Sequence, residues 1–472
     1  MFTLDWARRQ LGLSGHEGEG AQISGVNTDS RTLAPGQLFV ALAGVNFDGH
    51  DFVAQAARAG AGAALVNKNF IFADKEFPLL KVDDTLRALG DLAAAWRREH
   101  SLRVLALTGS TGKTTAKEML AAVLSRRYQV LKTEGNFNNL IGLPLTLLRL
   151  DETHNAAVLE MGMSVSGEIA RLTRIADPDV AVITNIGPAH MASMGSVRNI
   201  AKAKVELWEN MDSAAQAVIN IDDPFLKPWR NKLKGRALTF GSGKEAEIYS
   251  SQLKVKGVKQ NFLLHLPGAQ PLEVTLSVPG AHNVCNALAA AAAAFSLGIN
   301  GEEIAQGLSG YQGIKGRLRL QRAAVGALVL DDTYNANPAS MAAALDTLAQ
   351  MVSVAGEEPR RPVAVLADML ELGPESAGFH YELGRKAALS GCRLLFTYGP
   401  EARHTDQGAR EAGLAESGNF QELTELKAAL KKHLRPGDIV LVKGSNAMGM
   451  ERVVDFLTEP KIFGPSAVKT GN

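Results

Sequence analysis

Seven consecutive residues, Gly109-Ser110-Thr111-Gly112-Lys113-Thr114-Thr115, have the types and spacing that hold phosphate. Glycines permit a tight turn whose N–H groups converge on an anion, a following helix N-terminus favours negative charge, and a lysine adds a full positive one. In such a loop Lys113 reaches the β/γ-phosphates of a nucleotide and the Thr114 hydroxyl sits on a magnesium ion. The longer form of the loop has a further glycine where Leu107 stands, so this is the shorter G-S/T-x-G-K-T-T form. A bare glycine-rich turn is also an ordinary structural loop, and its flanks decide between the readings. Glu160, Asn185 and His190 follow at the ends of later apolar runs. A phosphate loop with an acid and a histidine fits magnesium-dependent phosphoryl transfer, the lysine handling phosphate charge and the others metal. Taken singly, a Glu or His at a strand end also serves as a satisfied structural residue.

The elements around these residues must position them. Arg103–Thr108 reads as a short buried strand, and Lys113 to about Tyr128 as a helix with Met119, Leu120, Val123 and Leu124 at helical spacing. Strands are expected at Ala156–Glu160, Val180–Ile186 and Ala217–Ile221, with helices at Thr85–Glu99 and near 167–175 and 198–210. That alternation predicts a parallel sheet with helices on both faces, and ligands in the crevice at the carboxyl ends of its strands. Residues 236–280 break into short alternating segments, a β-rich excursion, before Gly280-Ala281-His282-Asn283 opens a helix to about Leu297. Asn283 reads equally as a helix cap.

The expected fold class is α/β with three domains. Residues 1–83 form a small N-terminal α/β domain, 84–314 a central P-loop parallel-sheet domain and 315–472 a C-terminal Rossmann-like domain. In the first, strands at Gln37–Leu42 and Ala63–Val66 flank a helix at Phe52–Ala59. Its polar turns, Thr28-Asp29-Ser30-Arg31 and Asp48-Gly49-His50-Asp51, read as plain turn chemistry or as ligand contacts. In the last, strands at Leu328–Asp331, Val363–Ala367, Leu394–Tyr398 and Ile439–Lys443 alternate with helices near 338–351, 379–390, 421–433 and 448–457. Their ends carry Asp331, Asp332, Asp368 and Lys443-Gly444-Ser445-Asn446. The tail from Glu459 reads as poorly ordered.

Composition narrows the class. The 472 residues are 46% hydrophobic and 21% charged, enough to bury a core in each domain. With 50 basic and 49 acidic residues the net charge is +1, and no basic stripe marks nucleic acid as the main partner. Two cysteines, Cys285 and Cys392, lie among apolar residues and make no disulfide framework. No apolar run is long enough to span a bilayer, and the N-terminus lacks the order of a secretory signal. A soluble, cytoplasmic protein is expected.

Taken in order, the motifs resemble those of the Mur ligases: T-G-S-T-G-K-T-T, T-x-G-N-x-N-N-x-I-G-x-P (133–144), L-E-M-G (159–162), T-N-I-G-x-A-H (184–190), A-K-A-K-x-E (201–206), G-x-H-N-x-x-N-A (280–287) and D-D-x-Y-N-A-N-P (331–338). T-D-S-R, L-F-V-A-L-x-G-x-x-x-D-G-H, D-M-L-E-L-G (368–373) and K-G-S-N-x-M (443–448) resemble the members that add D-alanyl-D-alanine. The resemblance covers essentially the whole chain.

The resemblance implies an amide-forming ligase of peptidoglycan synthesis, hence of cell-wall biogenesis, cell shape and division. ATP would phosphorylate the terminal carboxylate of UDP-MurNAc-tripeptide, and the amine of D-Ala-D-Ala would attack the acyl phosphate. It implies ATP and Mg2+, with Lys113, Glu160, His190 and Lys204 catalytic. Thr114, Glu160, His190 and a carbamylated Lys204 would hold magnesium. Lys202 is the other candidate for carbamylation; the two lie about 200° apart on a helix, so only one faces the site, and the motif's register favours Lys204. ATP would meet residues 109–115 (Gly109, Ser110, Thr111, Gly112, Lys113, Thr114 and Thr115), with adenine against His282 and Asn283. Arg317, Asp332 and Asn335 would complete that site. Ser30 and Arg31 would contact the uridine sugar, Asn136, Asn138 and Asn139 the substrate and phosphate, and Asp368 and Ser445 the dipeptide. Members of this kind are usually monomeric. The alternatives are another amino acid ligase of the superfamily, folylpolyglutamate-synthase-like enzymes included, and a P-loop ATPase or kinase that is not a ligase. The D-N-P-R of the diaminopimelate-adding sibling is absent.

Overall fold

The computed structural model describes residues 1–15, 18–44, 47–352 and 360–459. Residues 460–472, nearly all of the tail expected to be poorly ordered, lie outside them. The chain forms two compact units, one of residues 1–108, 124–182 and 203–217, the other of residues 109–123, 183–202 and 218–472.

In the first unit, four strands run in the order Val180–Ile183, Arg103–Thr108, Ala156–Glu160, Val130–Lys132. Ala156–Glu160 pairs parallel with both its neighbours. Every residue of Ala156–Glu160 and Val180–Ile183 is buried, and only Arg103 of its strand is exposed, the unbroken apolar pattern of strands covered on both faces. Helices Thr85–Arg98 and Glu168–Ala176 each bury an apolar stripe. Thr85–Arg98 is capped by Asp84, whose carboxylate accepts from the Arg87 N–H at 2.9 Å. The same unit holds a four-stranded parallel sheet, Val26–Asn27, Leu38–Val40, Ala63–Asn67 and Leu79–Val82. Its core is Phe39, Ala41, Val53, Ala56, Ala64 and Val66. The expected helix at Phe52–Ala59 is a 3-10 turn, Gly49–Phe52, followed by Val53–Arg58. The turn comes first because Asp48 accepts from the His50 N–H at 2.9 Å.

In the second unit the excursion after residue 236 is sheet. Ala237–Gly241 pairs parallel with Ile248–Lys256, and Lys259–His265 and Leu272–Leu276 follow antiparallel. The last three of these strands are antiparallel, where the domain is expected to be a parallel sheet, because short turns join them and hairpins need no crossover helix. A six-stranded sheet runs in the order Arg319–Arg322, Leu328–Asp332, Asp438–Lys443, Arg361–Ala367, Leu394–Tyr398, Ser417–Phe420. All its pairs are parallel except the first. Its edge strands, R-L-Q-R and S-G-N-F, were not foreseen: both are polar and lack a fully buried residue, so no apolar run announces them. Clusters of buried apolar side chains, with Leu330, Met341 and Leu441 in one and Val365, Val440 and Val453 in the other, fill the core around this sheet.

Candidate active site

In the second unit the phosphate loop is held by its neighbours rather than by itself. Gly109 and Gly112 have φ of 151° and 79°. A Cβ on Gly109 would collide with the Thr184 hydroxyl, and one on Gly112 with the Asn286 amide, so both positions require glycine for conformation and for space. Thr184 Oγ1 donates to the Thr111 carbonyl at 2.6 Å, and Asn185 Oδ1 accepts from the Thr111 N–H at 3.0 Å. Ser110 Oγ donates to the Gly187 carbonyl at 2.9 Å and accepts from the Gly187 N–H at 2.8 Å. This explains why the strand expected to reach Ile186 stops at Ile183: Asn185 to Gly187 turn away to clasp the loop, and Ile186 donates its N–H to Asp223 at 2.6 Å. Asn185 is thereby a brace of the loop.

Lys113 Nζ donates to the Gly109 carbonyl at 2.8 Å, folded back over the turn it serves. Thr114 and Thr115 are buried on the first turn of helix Lys113–Leu124, and Ala116, Met119, Leu120 and Val123 bury its apolar side. Arg317 Nη2 donates to Thr114 Oγ1 at 3.2 Å, while its guanidinium lies 4.1 Å from the centre of the Tyr334 ring. Arg317 Nε is buried without a hydrogen-bond partner. The structure therefore brings Arg317 to the loop threonine.

Asp332 and Lys443 are buried and form one group with Asn335, which is exposed. Lys443 Nζ pairs with Asp332 Oδ2 at 2.7 Å and donates to the Asn335 carbonyl at 2.8 Å. Burial pushes the Lys443 ammonium below its ordinary pKa, and the Asp332 carboxylate opposes that shift. Asn446 adds a bond to the Tyr334 carbonyl at 3.0 Å. His282 is lowered by burial, with the Asp332 charge pulling the other way. Asn283 is buried inside helix Ala281–Ser296, whose cap position is Gly280, so Asn283 does not cap it. Its amide donates to the Pro279 carbonyl at 2.7 Å and its oxygen accepts from Asn286 at 3.1 Å.

His190 follows at φ 55° and its Nδ1 lies 2.7 Å from Glu371 Oε2. Asp368 accepts from the Ala402 N–H at 2.7 Å and the Glu401 N–H at 3.4 Å, and burial raises its pKa. Ser445 Oγ accepts from the Leu370 N–H at 2.9 Å. Both residues assigned to the dipeptide thus spend polar atoms on fixing loops.

In the first unit Glu160 is buried at a strand end. Its Oε1 accepts from Asn138 Nδ2 at 2.8 Å, while Oε2 is buried with no hydrogen-bond partner. An orphaned buried carboxylate oxygen is costly unless a cation or donor arrives, so Glu160 fits a metal-ligand role. Lys204 is 2% exposed on helix Val197–Asn210 and Lys202 is exposed, which puts the inward-facing lysine at the register the motif favoured. On the same helix Glu206 accepts from Ser166 Oγ at 2.8 Å, from the Gly167 N–H at 2.9 Å and from the Ala170 N–H at 3.1 Å, capping Glu168–Ala176. Asn139 accepts from the Ile141 and Gly142 N–H groups at 3.1 and 2.9 Å, and Asn136 is exposed. Ser30 bonds Gln55 at 3.3 Å. Arg31 forks onto Asp29, whose pKa its bonds hold at about 2. Among the described residues no three His, Cys, Asp or Glu side chains cluster as a metal cage; the expected ligands include a threonine and a modified lysine, which lie outside that set.

Sequence reading missed Glu371, Lys443 and Glu206 as positioning groups. Each stood within a quoted motif, but their partners are distant in the chain.

A glycine-rich phosphate loop between a buried parallel strand and a helix defines a P-loop nucleotide-binding α/β protein. Three family models match in turn: the Mur ligase family catalytic domain at residues 22–97, the Mur ligase middle domain at 107–294, and the Mur ligase glutamate ligase domain at 316–446. UDP-N-acetylmuramoyl-tripeptide–D-alanyl-D-alanine ligase of Bacillus subtilis is 39% identical over 93% of this chain and 93% of its own. The Escherichia coli protein of the same name is 38% identical over 94% and 95%. A crystal structure of MurF from Acinetobacter baumannii superposes with a TM-score of 0.88 at 36% identity, covering 97% of this chain and 99% of that one. A MurF ligase from Thermotoga maritima in complex with ADP gives 0.81 at 28% identity, covering 93% and 98%. The chain belongs to the Mur ligase family and has its three-domain α/β architecture.

Proposed function

We infer that this protein ligates D-alanyl-D-alanine to the terminal carboxylate of UDP-N-acetylmuramoyl-tripeptide at the expense of ATP. The observation that carries this is the likeness, over more than nine-tenths of both chains, to relatives bearing that activity in their names, with the phosphate loop intact. A carboxylate oxygen attacks the γ-phosphorus of ATP and ADP leaves, giving an acyl phosphate. The dipeptide amine attacks the acyl carbon and loses a proton; phosphate leaves and the amide remains.

Each unit's residues can be given a part. Lys113 and the loop take phosphate charge, Arg317 reaches the loop from the start of residues 315–472, and Asp332 and Asn335, pinned by Lys443, take the ribose side. His282 and Asn283 lie at the adenine side, and Ser30 and Arg31 at the uridine sugar. Asn136, Asn138 and Asn139 line the substrate loop. Asp368 and Ser445 shape the dipeptide region. Mg2+ is assigned to Thr114, Glu160, His190 and a carbamate on Lys204; bound there it would neutralise phosphate charge, and the carbamate would supply the oxygen ligand that magnesium prefers. The division into residues 1–83, 84–314 and 315–472 for nucleotide sugar, ATP and dipeptide follows from the same assignments. No helix among the described residues is long and apolar enough to cross a membrane. Nucleotide substrates support work in the cytoplasm, and the likeness to family members that are usually monomeric supports a monomer.

Phosphate release from ATP tests the reading. It should require UDP-MurNAc-tripeptide and D-Ala-D-Ala together. Turnover with meso-diaminopimelate or glutamate as the amine, and none with the dipeptide, would turn the assignment to a sibling ligase. Phosphate release that needs neither substrate would turn it to a plain ATPase.

A further inference from the structure

We propose that Glu371 is a positioning residue for His190, setting its imidazole as a divalent-cation ligand. The proposal rests on the reading of His190 as such a ligand. The two residues lie 181 positions apart in sequence, yet Glu371 meets the segment that starts at His190 twice. The Glu371 carboxylate lies 2.7 Å from His190 Nδ1, and the Glu371 carbonyl accepts from the Ala192 N–H at 3.1 Å. Gly373 closes the same contact, since a Cβ there would come 3.3 Å from the Ala192 Cα.

A carboxylate only accepts, so this pairing puts a proton on Nδ1, and in the neutral ring the lone pair then sits on Nε2. That is how carboxylates orient histidines which bind metal through the opposite nitrogen. Both residues hold left-handed backbone, φ 55° at His190 and 63° at Glu371, conformations that persist in non-glycine residues when surrounding contacts impose them. The pair is not there for stability: the side chains are 34% and 65% exposed, and exposed pairs contribute little. The segment bearing Glu371 is itself fixed, with Asp368 bonded to the 401–402 backbone and the Leu370 N–H to Ser445. The orientation of His190 is thus linked, through four consecutive residues, to the strand end assigned to the dipeptide.

Manganese serves as the probe. Mn2+ binding by the full chain with saturating ADP is followed by electron paramagnetic resonance. Glu371→Ala should weaken Mn2+ binding by about ten- to a hundred-fold. Glu371→Gln, whose side-chain carbonyl still accepts from Nδ1–H, should weaken it less. In a His190→Ala background Glu371→Ala should add nothing. Unchanged Mn2+ affinity in Glu371→Ala, or the same fold-loss with and without His190, overturns the proposal. Wild-type phosphate release with tripeptide and dipeptide, measured in parallel, judges the ligase reading separately, because the Mn2+ comparison requires no turnover.

Discussion

At the scale of single residues, the proposed chemistry falls on a few side chains whose removal should leave the fold standing. Lys113 lies over the loop but does not shape it; Gly109, Gly112 and the bonds from Thr184 and Asn185 do that. Lys113→Ala should therefore unfold at the wild-type temperature while losing at least about a hundred-fold in phosphate release, the scale of one lost electrostatic donor at a developing charge. Lys204 is the second case. Lys204 is 2% exposed, and carbamylation would replace its cation by an anionic oxygen ligand. Lys204→Ala should be nearly inactive and partly restored by a short carboxylic acid that supplies the same oxygens, whereas Lys202→Ala, on the exposed face, should be close to wild type. A carbamate signal from 13C-bicarbonate in the wild type and not in Lys204→Ala checks the modification directly.

At the scale of elements, residues in functional motifs also do architectural work. Glu206, last of A-K-A-K-x-E, satisfies two N–H groups at the start of Glu168–Ala176 and the Ser166 hydroxyl, tying that helix to the one that carries Lys204. Glu206→Ala should lower the urea midpoint by the equivalent of about 1–2 kcal/mol, as for other lost caps. Asp368 orders the turn into helix Arg403–Glu411 in the same manner. Its carboxyl pKa is raised above 3.8 because burial disfavours the charge. The folded state then binds the proton more tightly than the unfolded one. The stability this contributes is full below 3.8 and is lost as pH rises through the folded value. Wild type should accordingly gain on Asp368→Asn as pH is lowered from neutral towards 4, read from paired urea midpoints.

At the scale of the whole molecule, the question is which amine the ligase accepts. The segments resembling the dipeptide-adding members, 368–373 and 443–448, are bonded to one another through Leu370 and Ser445, and Lys443 of the second pairs with Asp332, the residue proposed for the ribose side. Recognition of a remote carboxylate on D-Ala-D-Ala would add binding energy that positions the amine, so D-Ala alone should turn over far more slowly and not merely bind more weakly. Comparing kcat and KM for the two amines in the phosphate-release assay checks this; equal values would remove the case for a dipeptide site in residues 315–472.

By itself the sequence determined the class of the fold, the phosphate loop and the family. These depend on local patterns: apolar runs of strand length, helical spacing after Lys113, glycines at 109 and 112, and motifs read in order. It also showed that only one of Lys202 and Lys204 can face the site, because a helix turns its residues by a fixed angle, and the register of the motif resembling the family's favoured Lys204. Tertiary structure alone decided what each polar residue touches. Asn185 braces the loop, Asn283 is buried inside its helix and does not cap it, Asp368 and Ser445 hold backbone, and Glu371 meets a histidine 181 residues away. The polar edge strands were hidden for the same reason. A hydrogen bond depends on distance and direction in space, and a residue's type states only what it can donate or accept.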